Sequence, residues 1–315
     1  MSVTQIQGLP LLSNVNKYST ARSEDKEGND YLKEYKLFIG GEWVPTVSGK
    51  VIDDLNPADG SVFAKVHTAG PDEVEAAISA AYASREVWAG TLAADREKIL
   101  LKAADHLEAN IMDFATRLIE ESGSTFVKSM GELLESVNIF RTAAGECRRV
   151  DGGIVPSDES GQISTYLRLP IGVVAGIAPF NYPFLLALNK VALALAAGNT
   201  FILKPSSDTP VSGLMIAECL AAGGLPKGVF SVIPGPGDIV GDALMEDSRV
   251  KMITFTGSTT VGRSIAVKAA ANLKKYTLEM GGKNPLIILK DFNLEKAVTI
   301  ATFGAYLQLS KKGLI

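Results

Sequence analysis

Val173-Val174-Ala175-Gly176-Ile177, Thr200-Phe201-Ile202-Leu203, Val229-Phe230-Ser231-Val232-Ile233 and Lys251-Met252-Ile253-Thr254-Phe255 are four short apolar runs. Helical segments separate them. One opens at Pro183 and runs through Ala197; the next starts at Thr209-Pro210 and ends at Gly223-Gly224; a short one lies near Ile239 to Met245; another starts at Ser258. Proline suits the first helical position and glycine the residue after the last. Apolar strands that alternate with helices imply a parallel sheet covered on both faces, the α/β class.

Right-handed crossovers make such a sheet open and Rossmann-like, with ligands at the carboxyl ends of its strands. Upstream, the texture differs. Residues 152–170 are punctuated by Gly152-Gly153, Pro156 and Gly161, and Ile163 to Leu169 alternates, so they read as a projecting β-hairpin arm. Between Pro71 and Gly145 the pattern is helical, with stripes Val74, Ala77, Ile78, Ala81 and then Ile99, Leu100, Ala103, Leu107, Ile111. Lys36 to Val44 predicts two short strands about a Gly40-Gly41 turn. Residues 1–34 are polar and aperiodic and are expected to form a flexible tail.

Composition sets limits. The chain has 315 residues, 46% of them hydrophobic, and a net charge of -4, which suits a soluble globular protein. Without a basic stripe, nucleic acid and anionic membranes are not expected partners. Asn189 and Lys190 interrupt the longest apolar run, Phe184 to Ala197, which is too short to span a bilayer. No secretion signal opens the chain, and the two cysteines, Cys147 and Cys219, are far apart with no metal-like spacing, so a reduced cytoplasmic setting and no metal site are expected. Arg148 and Arg149 beside Cys147 can lower a thiol pKa. Packing is the plainer role for both cysteines.

Three segments carry chemistry. Phe255-Thr256-Gly257-Ser258-Thr259-Thr260-Val261-Gly262 follows a strand and opens a helix, so its N–H groups and the Ser258 hydroxyl can hold a pyrophosphate. It is not G-x-G-x-x-G, and glycine is common in any strand-to-helix turn. Lys204-Pro205-Ser206 sits just past a strand end, where a cofactor ribose would lie; a solvated lysine is the alternative. Asn181, in Ala178-Pro179-Phe180-Asn181-Tyr182-Pro183, offers an amide to an oxyanion, or merely forms a turn.

In order and spacing these segments resemble the aldehyde dehydrogenase superfamily, from about Lys36 through Leu307. Phe38-Ile39-Gly40-Gly41-Glu42-Trp43, Asn56-Pro57-Ala58 and Leu278-Glu279-Met280-Gly281-Gly282-Lys283-Asn284-Pro285 belong to the same likeness. The resemblance implies NAD- or NADP-dependent oxidation of an aldehyde to a carboxylic acid through a cysteine thioester. Asn181 then matches the oxyanion-holding amide, Glu279 the general base that activates water, and Lys190 a buried lysine behind the Asn181 loop. Lys204 matches the adenosine-ribose ligand, with Ser207 beside it. Gly257 and Ser258 match the pyrophosphate turn, flanked by Thr256 and Val261. Gly237 matches the residue near the adenine; Ala178, Pro179, Phe180 and Met280 complete the cofactor contacts. By the same likeness, 35–151 and 171–280 form the NAD(P)-binding domain, 152–170 an oligomerisation arm for a homodimer or homotetramer, and 281–315 the start of a catalytic domain.

Two departures matter. Where the family often carries a Glu that repels a 2′-phosphate, this chain has Ser207, so NADP is expected to be tolerated. The family continues into a Gly-Gln-x-Cys turn that holds the nucleophile, whereas this chain reads Gln308-Leu309-Ser310-Lys311-Lys312-Gly313-Leu314-Ile315, with Gly313 about where the thiol belongs. The expectation is a chain cut short before its catalytic cysteine and inactive as it stands. The alternative is a non-catalytic NAD(P)-binding fragment or pseudoenzyme.

Overall fold

The structure is a computed structural model, and it describes residues 32–306. Residues 1–31 of the tail expected over 1–34, and the Gln308–Ile315 segment, lie outside the described residues.

The strands form a seven-stranded sheet in the order β12-β11-β8-β9-β10-β2-β3. β8 (Val173–Ile177), β9 (Thr200–Lys204), β10 (Phe230–Val232), β11 (Val250–Gly257) and β12 (Lys275–Met280) run parallel. β2 (Leu37–Ile39) and β3 (Glu42–Val44) close one edge antiparallel. The Gly40-Gly41 turn between them has φ of 59° and 91°, a region that side chains disfavour. The parallel order reverses between β11 and β8, the point where an open α/β sheet leaves a crevice at its carboxyl edge.

Alternate residues of each strand face opposite sides, and two cores result. Val174, Phe201, Leu203, Phe230 and Val232 pack against α5 (Leu185–Ala196) and α6 (Pro210–Ala222). Outside these lie α2 (Ala93–Ala109), α3 (Ile111–Ser122) and α4 (Phe126–Glu146). Val173, Ala175, Ile202, Ile253 and Phe255 face the other way, against α1 (Pro71–Ala89), α7 (Asp242–Glu246) and α8 (Thr259–Ala271). The expected hairpin is present as β6 (Gly153–Val155) paired with β7 (Ser164–Tyr166).

Several expectations need correction. Order begins before Lys36: β1 (Lys33–Tyr35) pairs with β5 (Val62–His67), which pairs with β4 (Val51–Leu55) in a second sheet. Asp53, Asp54 and Lys65 break the apolar signature of those strands, and that hid them. β12 is a fifth parallel strand that the sequence did not announce. It is an edge strand, and most of its residues are exposed, so it lacks a buried strand's apolar run. Glu279 therefore lies on a strand. Past Gly282 the chain runs without regular structure until α9 (Leu294–Tyr306).

Candidate active site

The carboxyl edge gathers many, but not all, of the predicted residues. Ile177 ends β8 beside Lys204, which ends β9. Across the sheet, Thr256 of β11 pairs with Glu279 and Gly257 with Met280 of β12. A cleft of about 820 Å³ opens there, within the size range of small-molecule sites. Pro179, Phe180 and Asn181 form one wall, Thr256, Gly257 and Ser258 another, and Glu279 and Met280 a third; Lys190 enters from α5. The sequence reading missed Leu186, Asn189, Thr254, Thr277 and Gly281, which also line it. Leu186 and Asn189 sit three residues apart, and Lys190 follows Asn189, so helical spacing from Lys190 was the available signal.

The local chemistry follows from position. Ser258 N-caps α8, its hydroxyl oxygen accepting from Val261 N at 3.3 Å. Ser258 lines the cleft, so α8 begins at its wall, and a helix N-terminus carries free N–H groups and a positive dipole end. Burial pushes the Lys190 ammonium down from its usual range, and the Glu279 carboxylate works against that shift. A lysine and a carboxylate thus line one cleft large enough for a ligand.

Ala178, Lys204, Ser207, Gly237 and Val261 do not line the cleft. Lys204 is not the solvated lysine of the alternative reading, because it is only 6% exposed. Burial holds its pKa at about 8, with the Asp208 charge opposing the shift. Its ammonium donates one long bond, 3.4 Å to the Pro205 carbonyl. A buried ammonium has three donors, so this one has capacity for an added acceptor. Ser207 is exposed in the following loop, and Gly237 opens a short π-helical turn past β10. Both cysteines are buried, and desolvation raises their thiol pKa values. Neither lines the cleft. Among the described residues there is no cluster of three or more His, Cys, Asp or Glu side chains able to hold a metal ion, and no helix is long and apolar enough to cross a membrane.

Comparison with known proteins matches this arrangement to one family model. Residues 43–309 fit the aldehyde dehydrogenase family. The chain belongs to that family. It is 38% identical over 287 residues to an alpha-ketoglutaric semialdehyde dehydrogenase of Bacillus subtilis, covering 91% of this chain and 58% of the relative. Among solved structures, an NAD-dependent benzaldehyde dehydrogenase from Corynebacterium glutamicum is 39% identical with a TM-score of 0.80, over 86% of this chain and 60% of that one. An E. coli NADP dependent enzyme is 34% identical with a TM-score of 0.83, over 89% and 58%. The chain thus spans rather more than half the length of these family members.

Proposed function

We propose that this chain is the nicotinamide-dinucleotide-binding part of an aldehyde dehydrogenase. On this reading it contributes Asn181, Glu279 and Lys190 to the oxidation of an aldehyde to a carboxylic acid. The observation that carries the proposal is the cleft at the β8/β11 reversal, with a helix N-terminus on one side and the buried, under-bonded Lys204 at the next strand end. These groups fit a dinucleotide: the N-terminus of α8 suits a pyrophosphate, and Lys204 with Ser207 suits a ribose. When bound, the cofactor supplies the hydride acceptor. The protein's own groups do the rest. Asn181 donates from its amide to the oxygen that gains charge, Glu279 takes a proton from water, and Lys190 offsets the carboxylate's charge.

The attacking thiol is not provided by either cysteine of this sequence, since both are buried away from the cleft. We therefore read the chain as competent to bind and not to oxidise. Ser207 leaves room for a 2′-phosphate, so NADP binding accompanies NAD binding, in keeping with relatives named for each cofactor. Assembly as a homodimer or homotetramer through the 152–170 arm and a cytoplasmic setting belong to the same proposal. Calorimetric titration with NAD and NADP, beside an absorbance assay for aldehyde oxidation, tests it. Saturable heat without turnover is the expected result. Absence of heat with both nucleotides, or turnover by these residues alone, refutes it.

A further inference from the structure

Phe184 and Leu185 open α5, and helix-opening N–H groups have no partner within their own helix. Glu132, reaching across from α4, supplies one. Its Oε1 accepts from Phe184 N at 3.0 Å and from Leu185 N at 3.1 Å. Its Oε2 takes the Lys128 ammonium, and both side chains are 0% exposed. That ammonium also lies 4.3 Å from the centre of the Tyr182 ring. An ion pair is thus buried at a place that apolar side chains of similar size often fill at no greater cost. What they grip is specific. Their contacts fall on Tyr182, Phe184 and Leu185, the residues that join Asn181 to the helix bearing Leu186, Asn189 and Lys190. Neither Glu132 nor Lys128 lines the cleft.

We infer that Glu132, with Lys128 beneath Tyr182, is a positioning residue that fixes the Asn181 loop and the α5 wall of the cleft. It acts through backbone N–H groups and touches no ligand. Carboxylate acceptors suit a helix N-terminus because they meet both its free donors and its positive dipole end. The inference rests on the proposed function only for what the Asn181 loop does; the loop's placement can be read without any nucleotide.

The test uses the whole chain. E132L/K128M replaces the pair with apolar side chains of similar volume, a change cores often accept. E132Q/K128M keeps a carbonyl acceptor facing Phe184 and Leu185. The readouts are the Asn181 side-chain amide signal in nitrogen-15 spectra without ligand, the Kd for NADP, and the melting temperature. The expected result for E132L/K128M is a moved Asn181 signal and a Kd weakened about tenfold, with melting lowered because the Phe184 and Leu185 N–H groups lose their acceptor. Partial return of both in E132Q/K128M is also expected. An Asn181 signal that superposes on the parent's overturns the inference. Should E132L/K128M fail to fold, E132Q alone decides, since a neutral acceptor must give a smaller displacement of the same signal and no displacement overturns it. If the parent binds neither nucleotide, the functional proposal fails while the Asn181 signal still judges this one.

Discussion

Lys204 shows what a sequence conceals at the level of one residue. Lysine after a strand suggests a solvated side chain, yet neighbours distant in sequence bury it and hold its pKa at about 8. The sign of the consequence is fixed. Below pH 8 the folded chain carries the ammonium, and above it the charge is lost, so NADP affinity falls as pH rises through about 8. The slope is at most about tenfold per pH unit for one coupled proton. Titration of the parent and of K204M across that range checks this: K204M binds more weakly and loses the dependence. For Ser207 the proposed effect lies in what the side chain lacks, a negative charge. S207E should keep NAD and lose NADP, by direct repulsion of the 2′-phosphate; equal NADP affinity in S207E would remove Ser207 from the cofactor account. Roles for Asn181 and Glu279 came from family likeness. Their meeting across one cleft needed the fold.

Elements were legible where burial leaves a periodic mark. β8, β9, β10 and β11 are central strands, and their apolar runs announced them. β12 and β4 are edge strands with exposed or charged residues and did not. Nor do sequences show which buried carboxylate serves which helix. Glu121 of α3 accepts from Val211 N and from Ser212 N at the start of α6, as Glu132 does for α5. Burial, and next the adjacent Asp54, push the Glu121 carboxyl well up from its usual range. Glu73 is the opposite case. Burial would raise its pKa, but the Ser48 hydroxyl and the N–H groups of Val47, Ser48 and Gly70 outweigh that and hold it at about 2. Its ionised form ties the 46–48 loop to α1. That stability is complete above the ordinary glutamate range and is lost as pH falls through about 2. E73A should cost about 2 kcal/mol at neutral pH by urea unfolding and flatten the acid limb; an unchanged midpoint would show the loop is held otherwise.

At the scale of the molecule, the sheet order and its two cores account for one crevice. A second feature of the surface is apolar: Leu286, Ile287, Leu289 and Leu294 are 58%, 75%, 68% and 76% exposed. Exposed apolar strips drive association, so the chain should self-associate as concentration rises, and I287K/L289K should suppress this in light scattering without lowering the melting temperature. A parent that stays monodisperse would speak against that strip as a sticky surface. The nucleotide site itself is open to a cleaner test, because aspartate and asparagine both cap helices as well as serine does. S258D keeps the α8 cap while setting a negative charge where the pyrophosphate belongs; S258N keeps the cap without the charge. Calorimetry with NADP should give a Kd for S258D at least about tenfold weaker than for S258N, with matched melting temperatures. Equal affinities in the two variants would contradict a dinucleotide seated on that helix.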